Sequence, residues 1–230
     1  MNMKRCLATI VLGVVIAVSA TAQSNIVYTG QLLEQAWQRY QRAENYPDQT
    51  YTSPTEAAKD LLSDGEYQGF IAGVMDANLD KVDVPVGVTV AQLNAIVGSY
   101  LDNHAELWNM SAVVLVIQSL KAAFPARSER YEFAWSGNTL DKYWQAAKPL
   151  IILDLEGNVI QNSDWSLYHG YVAGVISSDI EKFLPPPTTN DTPFLAVVGN
   201  YLDDHPEQWN QPAAILVIEA LQQAFPKSGG

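Results

Sequence analysis

One cysteine in 230 residues, three histidines, and 13 lysines and arginines against 25 aspartates and glutamates leave several kinds of chemistry short of residues. Cys6 is the only thiol and stands in the first apolar run, so the rest of the chain has no disulfide, no zinc-thiolate site and no cysteine nucleophile. Basic charge is scarce: a net charge of -12 and a pI near 4.5 would repel nucleic-acid phosphates, and no nucleic-acid partner is expected. Also missing are Gly-x-Ser-x-Gly, His-Glu-x-x-His and a phosphate-cradling glycine loop, so the sequence reads as no enzyme and as needing no cofactor. What is present is 48% hydrophobic and 17% charged residues, the composition of a globular chain.

Lys4 and Arg5 precede an uninterrupted apolar run from Cys6 to Ala20, which ends in Ala20-Thr21-Ala22. The run is shorter than the roughly 20 residues of a membrane span. With its basic start and small-residue end it has the form of a secretory signal peptide over residues 1–22, with cleavage near Ala22 and a mature chain from Gln23. Cys6 sits at the start of the apolar core, not its end, so it is no lipid-attachment site. The expected location is the periplasm, with no membrane span after cleavage. The exported chain would then fold in an oxidising compartment without cysteine.

The chain repeats itself. Tyr67-Gln-Gly-Phe-Ile-Ala-Gly-Val74 returns as Tyr168-His-Gly-Tyr-Val-Ala-Gly-Val175, and Val97-Gly-Ser-Tyr-Leu-Asp-Asn-His104 as Val198-Gly-Asn-Tyr-Leu-Asp-Asp-His205. The same spacing carries Trp108-Asn109 onto Trp209-Asn210 and Phe124-Pro125 onto Phe225-Pro226. With a slightly longer spacing, Thr29-Gly30 and Trp37 match Ser136-Gly137 and Trp144. A duplication explains this, and repeats of this kind set the whole architecture. The expected domains are 23–126 and 134–230, each copy spanning roughly 95 residues, a normal small-domain size. The linker falls near Ala126 to Phe133.

The expected fold class is all-α, two tandem copies of about four helices each. Thr89 followed by Gln92 has the form of a capping box ahead of Val90, Leu93, Val97 and Leu101. In the second copy Asn190 takes the capping position and Pro193 falls in the first turn. That helix ends at His104 and at His205, since the residue before Pro206 is pushed out of helical geometry. A last, apolar helix runs from Ser111 to Phe124 and from Pro212 to Phe225. One segment reads otherwise: Leu150-Ile-Ile-Leu-Asp-Leu-Glu-Gly-Asn-Val-Ile160 has the pattern of a short β-hairpin grafted into the second copy.

Four pieces in order resemble the Rap/Tai family of immunity proteins of type VI secretion. They are the Thr29-Gly30 and Ser136-Gly137 starts, Gly69 to Val74 with Gly170 to Val175, Pro85 to Leu93, and the Tyr-Leu-x-x-His turn with its terminal Phe-Pro. The resemblance implies a periplasmic helical protein that neutralises a competitor's peptidoglycan amidase by plugging its groove with surface loops. Members usually hold one domain and carry cysteines where this chain has Trp37 and Trp144, Val84 and Pro185, and Ala126 and Lys227. Two tryptophans at those places suggest aromatic burial in place of a staple.

Asp102 with His104, and Asp203 with His205, repeat as carboxylate and imidazole pairs, but two groups make no metal site, and the reading is that they finish one helix and orient the next. His169 answers to Gln68 and gains nothing from the repeat. Gly69 to Gly73 and Gly170 to Gly174 read as close packing of two helices inside the soluble domain. Trp108 and Trp209 read as core or interface plugs. Partner contacts are expected in the loops that differ while their flanks agree: Asp80, Asp83, Pro85 and Gly87 in the first, and Pro185, Pro186 and Pro187 in the second, a stiff stretch. The leading functional reading is steric blocking of an amidase by this protein. The alternative is an envelope structural or housekeeping protein with another partner.

Overall fold

The computed structural model describes residues 28–44, 54–125, 134–155, 163–185 and 191–227. The expected signal peptide (1–22), the expected linker (126–133), and Pro186, Pro187 and Asn190 lie outside them. Helix α1 (Gly30–Glu44) repeats Gly30, Leu33, Trp37, Tyr40 and Ala43 on one face, a spacing of three to four that puts that face inward. Helix α2 (Pro54–Ala77) starts on a proline, which suits a first turn whose N–H has no helical partner. Helices α3 (Val90–Asn103) and α4 (Ala112–Ala123) complete the first copy, and α5 (Gly137–Leu155), α6 (Ser163–Asp179), α7 (Thr192–Asp204) and α8 (Ala213–Ala224) form the second. The described chain is all-α, as the sequence predicts; its β pairing amounts to two isolated bridges, Thr29 to Ser111 and Ser136 to Pro212.

Those bridges explain the repeated Thr/Ser-Gly start. Gly30 N donates to Met110 O at 2.8 Å and Ala112 N to Tyr28 O at 2.9 Å, tying the first helix of the copy to its last. In the second copy Gly137 N reaches Gln211 O and Ala213 N reaches Trp135 O, both at 2.9 Å. A Cβ on Gly30 or Gly137 would overlap the backbone of Trp108 or Trp209, so only glycine allows the approach.

The capping box forms as the spacing predicts, with Gln92 N donating to Thr89 Oγ1 and Thr89 N to Gln92 Oε1. Its counterpart starts later than Asn190 would place it: α7 begins at Thr192 behind Asp191, with Pro193 in its first turn. The hairpin expected over Leu150 to Ile160 is not formed in its described half, because Leu150–Leu155 continue α5. A helix already nucleated at Gly137 gains a backbone bond with each added residue, and the strand preference of Ile151 and Ile152 is too weak to stop it. Residues 156–160 lie outside the described part.

Helices α2 and α6 carry the glycine motifs and lie against each other, one from each copy. Gly65 faces Ser166, Gly69 faces Leu167 and Tyr171, Gly170 faces Glu66, and Gly174 faces Phe70 and Val74. Positions that correspond in sequence therefore meet, which makes the pair parallel and in register. Small residues let the backbones close up, as at other glycine-lined helix crossings. The repeated motif is thus a close helix contact, and it joins the two copies to each other. Ala72 belongs to the second copy's core cluster, and its counterpart Ala173 to the first's. Because α6 touches its own copy on one side and α2 on the other, Tyr168 to Ile176 are buried without interruption. Such an element turns no polar face to solvent over that stretch.

Candidate functional site

The loop after α2 is built outward from Asn78. Its Nδ2 donates to Val74 O at 2.7 Å, its carbonyl accepts from Lys81 N at 2.8 Å and Val82 N at 3.2 Å, and Lys81 Nζ donates to its Oδ1 at 2.8 Å. A buried asparagine satisfied in this way closes the helix and fixes the path of the chain that follows. Val82 and Val84 then turn into the core, while Asp80, Pro85, Val86 and Gly87 are exposed and Asp83 is half-buried. Val88 N donates to Pro85 O at 3.4 Å, and Gly87 has φ +90, the positive value a type II turn requires at its third residue. The apex is Val86, 63% exposed. The Pro-x-Gly pattern in the sequence carries that signal, since it sets the middle residue at the tip.

The loop after α6 takes another course. Asp179 pairs with Lys182 at 3.0 Å. Phe183 is buried against Phe194, which in turn meets Phe225 edge-on. Leu184 N donates to Phe225 O at 2.9 Å and Gln222 Nε2 to Lys182 O at 3.3 Å, so the loop is strapped to the end of its own last helix. Leu184 points out, 59% exposed, and Pro185 is half-buried. Because α2 and α6 run parallel and in register, both loops leave the same end of the molecule. The roots of the two helices meet α8 there around a groove of about 420 Å³, with Ala77, Ala214 and Ile218 among its apolar lining and Asp179, Lys182 and Glu219 among its charged residues.

The repeated aspartates do a different job from ending a helix. Trp37 Nε1 donates to both oxygens of Asp102 at 3.1 Å, and Trp144 Nε1 to Asp203 Oδ1 at 3.1 Å. Each pair ties the first helix of its copy to the third, with the indole laid over Gly98 or Gly199. Asp203 also accepts from Lys148 and Gln145 at 2.8 Å. Burial works against its charge, but these donors outweigh it and hold the carboxyl below its usual range. The histidines do finish the helices: His104 Nδ1 meets Tyr100 O at 2.8 Å and His205 Nδ1 meets Tyr201 O at 2.9 Å, each ring stacked on the tyrosine of the turn before. Trp108 and Trp209 are half-buried and donate to the carbonyls of Leu101 and Leu202. Among the described residues no cluster of three or more His, Cys, Asp or Glu is placed to hold a metal ion.

Two buried polar contacts across the copies were not legible in the repeat. His169, buried in α6, has Glu66 Oε1 of α2 at 3.2 Å from Nδ1 and Asp191 Oδ2 at 2.5 Å from Nε2. Two carboxylate partners offer only acceptors, so both ring nitrogens must donate and the ring is a cation. Burial opposes that charge, yet the bonds to Asp191 and Glu66 prevail and push the imidazole up to about 10. Burial likewise opposes ionisation of Asp191, which the histidine still holds below its usual range. At the other contact, Asp76 near the end of α2 accepts from Ala134 N, Trp135 N and Tyr171 Oη, the last at 2.7 Å. Burial raises its carboxyl to about 6 in spite of those three donors. The counterparts of Asp76 and Tyr171 are Ser177 and Phe70, so neither contact has a twin in the other copy.

The model of the Rap1a immunity proteins matches residues 29–126 and 154–226 of the chain. No curated protein and no solved structure matches it.

Proposed function

The chain belongs to the Rap1a immunity protein family, and on that premise we propose that it is an exported binding protein that shields its own cell from a secreted cell-wall amidase by docking over the enzyme's cleft. The observation that carries this reading is the loop after α2, a braced turn that holds Val86 out in solvent. An apolar tip fixed before binding loses little entropy on docking, and such tips are where interface energy concentrates. Asp80, Asp83, Pro85 and Gly87 of this loop, with Pro185, Pro186 and Pro187 of the second, form the contact area. The acidic net charge favours encounter with a basic enzyme surface.

Export through the signal segment puts the protein in the periplasm, where an amidase arriving from outside would act. No described helix is long and apolar enough to cross a membrane. Affinity capture with the mature chain from Gln23, in a strain that secretes such effectors, tests the proposal. A peptidoglycan amidase should co-purify and lose activity in the complex. If the captured amidase still cleaves peptidoglycan, or if only envelope structural proteins are retained, the reading fails.

A further inference from the structure

The two copies share a fold and a seam but present unlike loops at one end of the molecule. In the first copy, Asn78 closes α2, Val82 and Val84 anchor the loop from within, and Gly87 supplies the positive φ that brings Val86 to the apex. At the position equivalent to Gly87 the second copy has Thr188. A threonine there would be strained in the same turn. At the position of Asn78 the second copy has Asp179, whose carboxylate is spent on Lys182. Its first residues, Lys182 to Leu184, are held to its own last helix through the bonds to Phe225 O and from Gln222. One loop therefore presents a braced apolar tip with Asp80 exposed beside it, and the described start of the other, through Leu184, is tied to its own copy.

We propose that the chain binds one partner molecule, not two, through the first copy's turn, with Val86 as the anchor. Both loops leave the same end of a parallel helix pair, so a partner seated on Val86 lies across the second loop as well and denies that loop to another molecule. The second copy acts as a wall and a brace. The partner surface that fits is an apolar depression large enough for a valine and its proline neighbour, with basic side chains on the rim to meet Asp80. This inference rests on the docking function proposed above and adds the stoichiometry and the residue that inserts.

The test uses the full mature chain and the amidase it retains, purified separately, in titration calorimetry with native mass spectrometry of the complex. The expected result is a 1:1 complex, at least 100-fold weaker for Val86→Asp, less affected by Leu184→Asp in the loop that the partner only covers, and weaker in high salt than in low. Both substitutions sit on exposed side chains and should leave the circular dichroism spectrum unchanged. A complex with two amidases per chain, or a larger loss from Leu184→Asp than from Val86→Asp, overturns the inference while leaving the docking function standing. No binding by the wild-type chain overturns both.

Discussion

Trp37 and Trp144 each cover a glycine, bond an aspartate through the indole N–H, and join the first and third helices of their copy. Truncating a buried tryptophan removes both the apolar area and the tie, and Trp→Ala in a core costs about 3–5 kcal/mol. Trp37→Ala and Trp144→Ala should each lower the unfolding free energy from urea titration by that order, and Trp144→Phe should cost much less, because Lys148 and Gln145 still serve Asp203. His169 is the second residue with a sharp expectation. With an imidazole raised to about 10 in the fold, it contributes fully below its unfolded value of 6.5, and the contribution fades as pH rises through 10. Asp191, held below its usual range, contributes above that range and loses its part as acid neutralises it. His169→Gln, which installs the first copy's residue, should therefore cost most between the carboxylate range and pH 6.5, with the gap to wild type narrowing on both sides in urea titrations. Asp76 runs the other way. Its carboxyl binds a proton more readily in the fold, near 6, than unfolded near 3.8, so wild type should lose stability relative to Asp76→Asn as pH rises across that interval.

At the scale of the element, the α2 and α6 seam sets how the copies sit. A side chain at Gly69 or Gly174 would overlap the facing backbone, which cannot withdraw as a flexible side chain can. Gly69→Leu and Gly174→Leu should each open the seam, seen as faster hydrogen exchange along Tyr67 to Val74 and Tyr168 to Val175, while Gly87→Ala should loosen only its turn. The sequence carried the duplication, the capping box and the ends of α4 and α8, because each rests on local chemistry repeated at fixed spacing. The glycine motifs announced a close helix contact but not which helix was the neighbour, since spacing along one helix says nothing about its partner in space. His169 looked idle for the same reason: its worth comes from Glu66, distant in sequence, and from Asp191, which replaces Asn190 as the residue before α7. The Leu150 to Leu155 segment misled through its β-branched residues, whose preference yields to a helix already under way.

On the scale of the whole molecule, each copy lends an alanine to the other's core, and two polar contacts without counterparts fasten them further. The result is a duplicated Rap1a-family chain whose two copies differ in their loops, with a net charge of -12. Such a body is proposed to act by covering a surface, and acidic charge should speed the meeting with a basic partner, an effect that fades as salt screens it. The most direct measurement is the rate of peptidoglycan cleavage by the retained amidase as mature chain is added. Cleavage should fall linearly to nothing at one chain per enzyme, both proteins should be recovered with unchanged mass, and activity should return once they are separated. An amidase that still cleaves when saturated with the chain would contradict the account, as would one that comes back covalently altered.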